Sequence, residues 1–362
     1  MNSSKNAMPS RFVHIDALRA MSVLLVVVAH AGLGDIIPGG SGVTIFFCIS
    51  GFVITNLVLK EKTDKGGFEI GWFYFRRFMK IVPPLMVIVI IPTLTLSAWI
   101  QLDWSHFASQ LLFTFNWTYM RGSSQILPGS GVVWSLSIEE QFYLVFALMW
   151  LLLAKLRKAD LYLSLIAVST VLYSNLARVY FANGENAHSR VYYGSDTRVD
   201  AIAIGVLGAI WLSKRGSKNL NQSKSKYQDL ILIIACLAFI FSLIYRDEWF
   251  RNTFRFTIQS GASVVFILYG FIAKNTLMNR IQKRISNLKV VRIIGLASYS
   301  IYLCHLSLDY IVHPWLLETP FWVSVSTKTA AGVVLGIIIY FCVEVPSLKQ
   351  RYKIQNKFKN HA

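Results

Sequence analysis

The chain has 362 residues, 54% of them hydrophobic and 14% aromatic, with a formal net charge of +18 and a mean hydropathy of +0.50. A fold of this length cannot hide so much apolar surface from water, so the composition excludes a soluble globular protein and indicates one built into a bilayer. The positive charge gathers in alternate connecting segments, which reports orientation in a membrane and not a nucleic-acid partner.

The apolar residues fall in blocks of about 17 to 23, the length that crosses a hydrocarbon core of roughly 30 Å as helix. Ten spans are predicted, at 15–33, 43–59, 81–99, 133–154, 161–181, 197–213, 229–245, 254–273, 293–313 and 324–343. With the N-terminus inside, the inner segments carry 26 Lys and Arg and the outer loops carry 4, so both termini are expected to be cytoplasmic. The expected fold is therefore an all-α integral membrane protein of about ten transmembrane helices, a single domain over residues 1–362. The first 14 residues are polar and lead into the first block without a small-residue cleavage site, so no cleavable signal is expected. Cys48, Cys236, Cys304 and Cys342 all lie in apolar blocks without paired spacing, which suggests neither a disulfide framework nor a zinc site.

The first span holds HIDALRAMSVLLVVVAH, residues 14–30. Arg19 and His30 are eleven residues apart, which on a helix is about 20° past three turns, so they share one face roughly 16 Å apart. Arg19 would lie near one interface and His30 well down the apolar segment. Ionisable groups at membrane depth mark functional paths, although an interfacial anchor and a core histidine bonded to a neighbour would give the same pattern. Asp16, one turn before Arg19, reads as a supporting residue. The second span opens with GGSGVTIFFCISGF, residues 39–52. The small pair Ser50-Gly51 suits close helix packing as well as it suits a site.

WFYFRRFMKIVPP, residues 72–84, places Arg76, Arg77 and Lys80 close together at the cytoplasmic start of the third span, before Pro83 and Pro84. Such a cluster would hold an anion with several phosphates; ordinary positive-inside anchoring would also account for it. Residues 104–120 are apolar enough to enter the bilayer, yet counting them as a span would put Lys155, Arg157 and Lys158 outside. They are expected to form a re-entrant or interfacial element, followed by a turn at Pro128, Gly129 and Gly131. WSLSIEEQFYLVF, residues 134–146, gathers Trp134, Ser135, Ser137, Glu139 and Tyr143 at the outer end of the fourth span, a polar and aromatic set of the kind that grips a sugar. Trp and Tyr also belong to the interfacial belt of membrane proteins.

SDTRVDAIAIG, residues 195–205, brings Arg198 and Asp200 to the outer start of the sixth span, where a buried structural ion pair is expected. Residues 214–228 read as a Ser/Lys/Asn-rich connector. SYSIYLCH, residues 298–305, sets Tyr299, Tyr302 and His305 as a polar stripe in the ninth span. Glu344, before Val345 and Pro346, closes the last span, and Arg19 is a natural partner by depth. The residues after Pro346 read as a short basic tail near anionic headgroups.

Taken in order, Arg19 with His30, GVTIFFCISGF, FRRFMKIVPP, WSLSIEEQFYL, TRVDAIAIG, SYSIYLCH and Glu344-Val345-Pro346 resemble the membrane-bound acyltransferase-3 family over essentially the whole chain. The resemblance implies use of acyl-CoA on the cytoplasmic side and delivery of the acyl group to an acceptor on the outer side, often a carbohydrate. By carry-over His30 is the catalytic residue and Arg19 part of the same Arg-x10-His motif, while Arg77 and position 80 correspond to an Arg-x-x-Arg motif that handles the CoA end. This sequence has Lys80 there, which keeps the charge but loses the bidentate fork. Many members carry a further SGNH hydrolase-like domain; this sequence shows none, so the bundle is expected to complete delivery itself.

The expected function is thus a bacterial inner-membrane O-acyltransferase. It would use acetyl-CoA and no metal, with His30 as general base toward a hydroxyl of a surface or lipid-linked saccharide. An acyl-histidine intermediate is the alternative mechanism. A transporter or flippase is the alternative class, weakened by the lack of an internal repeat, and a membrane scaffold would leave His30 unexplained.

Overall fold

The computed structural model describes residues 12–99, 101–122, 126–219 and 225–359. Its helices, in chain order, are α1 Val13–Val28, α2 Gly39–Lys65, α3 Ile70–Leu85, α4 Ile91–Leu96, α5 Trp104–Leu111, α6 Phe115–Tyr119, α7 Val133–Leu153, α8 Ala159–Phe181 and α9 Ala187–Tyr193. The second half continues with α10 Ser195–Asn219, α11 Ser225–Ile244, α12 Glu248–Asn252, α13 Arg255–Ile272, α14 Leu277–Asn287, α15 Lys289–Leu296, α16 Ser298–Val312, α17 Phe321–Ile339 and α18 Val345–Lys359. No strand occurs among the described residues.

Eight helical stretches of the described chain are long and apolar enough to cross a membrane. They cover eight of the ten predicted spans. A ninth, α15 with α16, passes that test only as a pair bent by 75°. The predicted span 197–213 lies on α10, which does not pass because Asp196, Arg198 and Asp200 at one end and Lys214 and Arg215 at the other leave no charge-poor stretch of sufficient length.

The segment 104–120 is neither a span nor one helix. It folds as α5 and α6, roughly 12 and 8 Å long at 1.5 Å per residue, broken at Phe113, whose φ is +53°. Gln110 Nε2 donates to Ser130 Oγ at 3.0 Å, Asn116 Nδ2 to the Tyr193 carbonyl at 3.0 Å and Gln141 Nε2 to the Phe113 carbonyl at 2.7 Å, so protein groups satisfy its polar atoms. Such short pieces survive in a membrane protein only with this internal satisfaction. The turn expected before α7 centres on Gly129, whose φ of +83° places it where a side chain would strike the Ser307 backbone.

Two expected loops are helical instead. Residues 214–219 continue α10, and residues 220–224 lie outside the described residues. The basic tail is α18, seated on α3: Ser347 Oγ donates to the Met79 carbonyl at 2.5 Å and the Trp72 and Phe358 rings approach to 5.7 Å. Residues 1–11 and 360–362, which enter the expected charge asymmetry, also lie outside the described residues.

Helix α2 runs through the middle of the bundle and is the most buried of the candidate spans, 72% inside the protein. It can lie there because glycines meet backbone. A Cβ at Gly51 would overlap the Ile202 carbonyl of α10, and one at Gly205 of α10 would overlap the Cys48 carbonyl of α2. Small residues let membrane helices approach this closely, so Gly51 belongs to packing, while Ser50 beside it faces a cavity.

Candidate active site

Five helices converge on that cavity, of about 100 Å³. Helix α1 supplies Arg19, α2 supplies Ser50, α3 supplies Arg77 and Lys80, and α7 supplies Ser135, Glu139 and Tyr143; α16 closes the top with Tyr299 and Tyr302. Spacing explains the membership: residues three or four apart share a helix face, which joins Arg77 to Lys80 and Ser135 to Glu139 and Tyr143. The Arg77 guanidinium carbon stands 4.0 Å from the centre of the Tyr143 ring, and the Tyr143 hydroxyl donates to Glu139 Oε2 at 3.0 Å. Three cations and one carboxylate therefore line a space well below the roughly 300–1,000 Å³ of a typical small-molecule site. It has room for a slim chain.

This arrangement distributes the predicted site residues among several places. Arg76 is outside the cavity, its Nη2 3.4 Å from Glu61 Oε2 on α2. Glu139 and Tyr143 share a compartment with the α3 cations. Trp134 and Ser137 turn away from them: Trp134 packs on Phe47, Tyr192 and Tyr193, and the Ser137 hydroxyl donates to the Val133 carbonyl at 3.2 Å. Helical periodicity divides the set, since only every third or fourth residue of 134–146 can face one way. For the expected Arg19–Glu344 pairing the structure gives each residue another partner. Arg19 Nη1 lies 3.5 Å from Asp16 Oδ1, while Glu344, 1% exposed, accepts from Ser300 Oγ at 3.0 Å and faces Lys80 Nζ at 3.8 Å.

His30 sits three turns beyond Arg19 but is not buried. Helix α1 ends at Val28, and a π-helical turn, Ala29–Leu33, carries the imidazole to an exposed position at the end of the bundle. The bond it makes there is specific. His30 Nδ1 and His305 Nε2 are 2.9 Å apart, and His305, 2% exposed, has its Nδ1 2.7 Å from the Tyr302 carbonyl oxygen. A carbonyl only accepts, so His305 Nδ1 carries the hydrogen and a neutral His305 has its lone pair on Nε2. That lone pair accepts from His30 Nδ1–H. His30 is then left with its own lone pair on Nε2, which has no hydrogen-bond partner among the described residues.

The cavity does not reach His30. Tyr302 stands between them, its hydroxyl paired with Ser135 Oγ at 2.7 Å and donating to the Val132 carbonyl at 3.1 Å, its ring 5.8 Å from that of His305. Sequence reading missed what continues outward from His305. Asp309 on α16 and His313 in the turn just after it follow at four-residue steps, and Lys328 of α17 bridges them, 2.9 Å from Asp309 Oδ1 and 3.1 Å from His313 Nδ1. A lysine inside an apolar block, with i,i+4,i+8 ionisable residues in the preceding segment, was the available signal.

Arg198 and Asp200 are both fully buried but do not bond to each other. Arg178 of α8 takes Asp200 at 2.8 Å, and Thr257 Oγ1 also lies 2.9 Å from Asp200 Oδ2. Arg198 instead stacks on the Phe256 ring at 3.9 Å and donates to Thr44 Oγ1 at 3.1 Å. Residues two apart on a helix point about 200° from one another, so a direct pair was geometrically disfavoured.

A bundle of apolar helices with cations gathered inside it and a histidine pair at one end is a multi-pass membrane protein. Residues 12–345 match the acyltransferase domain of the acyltransferase-3 type, and the chain belongs to that family. It is 30% identical to the "Putative O-acetyltransferase SACOL0978" of Staphylococcus aureus (strain COL), over 94% of this chain and 58% of that protein. It is 28% identical to O-acetyltransferase OatA of S. aureus (strain NCTC 8325 / PS 47), over 94% of this chain and 57% of the relative. The chain thus spans under two thirds of the length of these relatives. No solved structure matches it.

Proposed function

We propose that the protein is an O-acetyltransferase that takes an acetyl group from acetyl-CoA on the cytoplasmic side and places it on a hydroxyl of a saccharide or glycolipid on the outer side, with His30 as general base. One observation carries this reading: the chain from the Tyr302 carbonyl through His305 to His30 fixes the tautomer in which His30 Nε2 is a free acceptor at an exposed position. Family membership and the named activity of the relatives support the reaction class.

Acetyl-CoA supplies a thioester carbonyl. His30 Nε2 takes the proton of the acceptor hydroxyl as its oxygen attacks that carbon, and the same proton leaves with the thiol, so His30 ends neutral. His305 holds the ring and stabilises the imidazolium by accepting its Nδ1–H. Arg77 and Lys80 would hold the phosphate end as two cations on one helix face, and Glu139 keeps the Arg77 plane in place through Tyr143. Since Tyr302 separates cavity from histidine, its side chain must swing aside for the donor arm to arrive.

The test is transfer of radiolabelled acetyl from acetyl-CoA to a saccharide acceptor by the purified protein in vesicles. His30→Ala is expected to lose at least 100-fold, in line with the roughly 10²–10⁴ that a general base supplies. Undiminished transfer by a folded His30→Ala protein refutes the assignment. Label trapped on the protein when the acceptor is withheld would replace direct attack by an acyl-histidine route.

A further inference from the structure

Helix α14 presents its faces in an order a water-facing helix does not use. At 100° per residue, Leu277, Ile281 and Ile285 fall within about 80° of one another, and Leu288 follows at the extended C-cap of the helix. They are 60, 41, 50 and 56% exposed. The residues turned toward the protein, about 180° away, are polar: Asn279 and Ser286, at 1 and 3% exposure. Arg280, Lys283 and Arg284 fill the sector beside the apolar face and are all exposed. In water this helix would show its apolar side to solvent and its amides to the protein, the reverse of the usual amphipathic packing. Eleven residues make about 16 Å of helix, half of what a span requires, so it cannot cross the bilayer.

Its position says what covers it. Helix α14 follows the candidate span α13 after four residues and packs on α1 and α15. Its apolar strip is therefore held next to helices whose outer surfaces face acyl chains. The flanking cations give it a preference for negative charge.

We propose that α14 lies in the plane of the membrane interface. Leu277, Ile281, Ile285 and Leu288 would sit among the upper acyl chains, and Arg280, Lys283 and Arg284 would contact anionic lipid headgroups, so that this edge of the protein is an anionic-lipid binding site. The reading is independent of acyl transfer and stands or falls without it.

The experiment uses the full chain in vesicles of phosphatidylcholine with and without phosphatidylglycerol. Nitroxide labels are placed at Ile281→Cys, Ile285→Cys and, as the polar-side control, Lys283→Cys. Labels at 281 and 285 are expected to relax more with oxygen, which partitions into lipid, than with a water-soluble nickel chelate; the label at 283 is expected to show the opposite. Selectivity for phosphatidylglycerol, read by native mass spectrometry of lipids retained on the protein, should fall by about fivefold for each of Arg280→Gln, Lys283→Gln and Arg284→Gln. Nickel accessibility at 281 and 285 equal to that at 283 overturns the proposal. So does protection of both from nickel and oxygen alike, which would mean that a second protein surface covers the strip. Unchanged lipid selectivity in all three glutamine variants overturns the headgroup part.

Discussion

Replacing His305 with leucine isolates the tautomer argument. The side chain is 2% exposed and its Nε2 is the sole hydrogen-bond partner found for His30 among the described residues. Leucine removes the acceptor while keeping an apolar body in place. Losing a neutral hydrogen bond costs about 1 kcal/mol, and losing one donated by the imidazolium that forms during reaction about 1.5–3 kcal/mol. At 1.36 kcal/mol per tenfold change in rate, the loss is roughly 5- to 150-fold in kcat if it falls on the reactive state. KM for acetyl-CoA should move little, because the cation-lined cavity lies on the other side of Tyr302. His305→Gln retains an amide oxygen that can accept from His30 Nδ1–H and is expected to recover to within about tenfold of the parent rate. The assay is initial-rate acetyl transfer in vesicles, with thermal unfolding in detergent to confirm that each variant is folded. A folded leucine variant with parental kcat refutes the account, and so does equal loss in the leucine and glutamine variants.

Arg77→Ala should raise KM for acetyl-CoA about 10- to 100-fold with a smaller change in kcat, a loss of about 1.5–3 kcal/mol for a charge-assisted contact. Arg77→Lys should recover only part of it, since ammonium neither forks nor stacks on Tyr143 as guanidinium does. Arg178→Ala leaves Asp200 buried and uncompensated and should cost about 3–5 kcal/mol of stability, read as loss of folded protein on gel filtration or in a thermal melt; Asp200→Asn in the same background should restore much of it. Gly51→Ala forces apart α2 and α10 and should destabilise by about 1–3 kcal/mol, the scale of overpacking in a filled core. Asp103, in the loop before α5, caps that helix: the Ser105 hydroxyl foremost, then the His106 amide, holds its carboxyl down at about 2. A lowered folded value means that its contribution is present above the ordinary carboxylate range and is lost as pH falls toward 2. Protection of the Ser105 and His106 amides, measured relative to their intrinsic exchange rates, should therefore fall between pH 4 and pH 2, and Asp103→Asn should remove that change in protection.

Sequence alone determined the class, since apolar blocks of spanning length leave helices as the solution for a chain of this composition, and it determined the non-spanning nature of 104–120 through the charge it would otherwise misplace. It also singled out Arg19, Arg77, Lys80, Glu139 and Tyr143 as chemistry-bearing, because ionised groups in apolar blocks are costly and rarely incidental. It could not decide which of these meet. Arg77 stacks on Tyr143, Lys80 faces Glu344 and Arg178 takes Asp200 because α3, α7, α8, α10 and the π-helical turn Tyr340–Glu344 after α17 are brought together by packing, and those contacts join residues 22 to 264 positions apart. The histidine pair shows the division most clearly. Spacing puts His30 on the Arg19 face, but only the π-helical turn after Val28 and the docking of α16 bring it out of the bundle and within 2.9 Å of His305. Periodicity within one helix is a local property that sequence carries directly; contact between helices depends on how closely their backbones can approach, which Gly51, Gly205 and their carbonyl neighbours settle only in three dimensions.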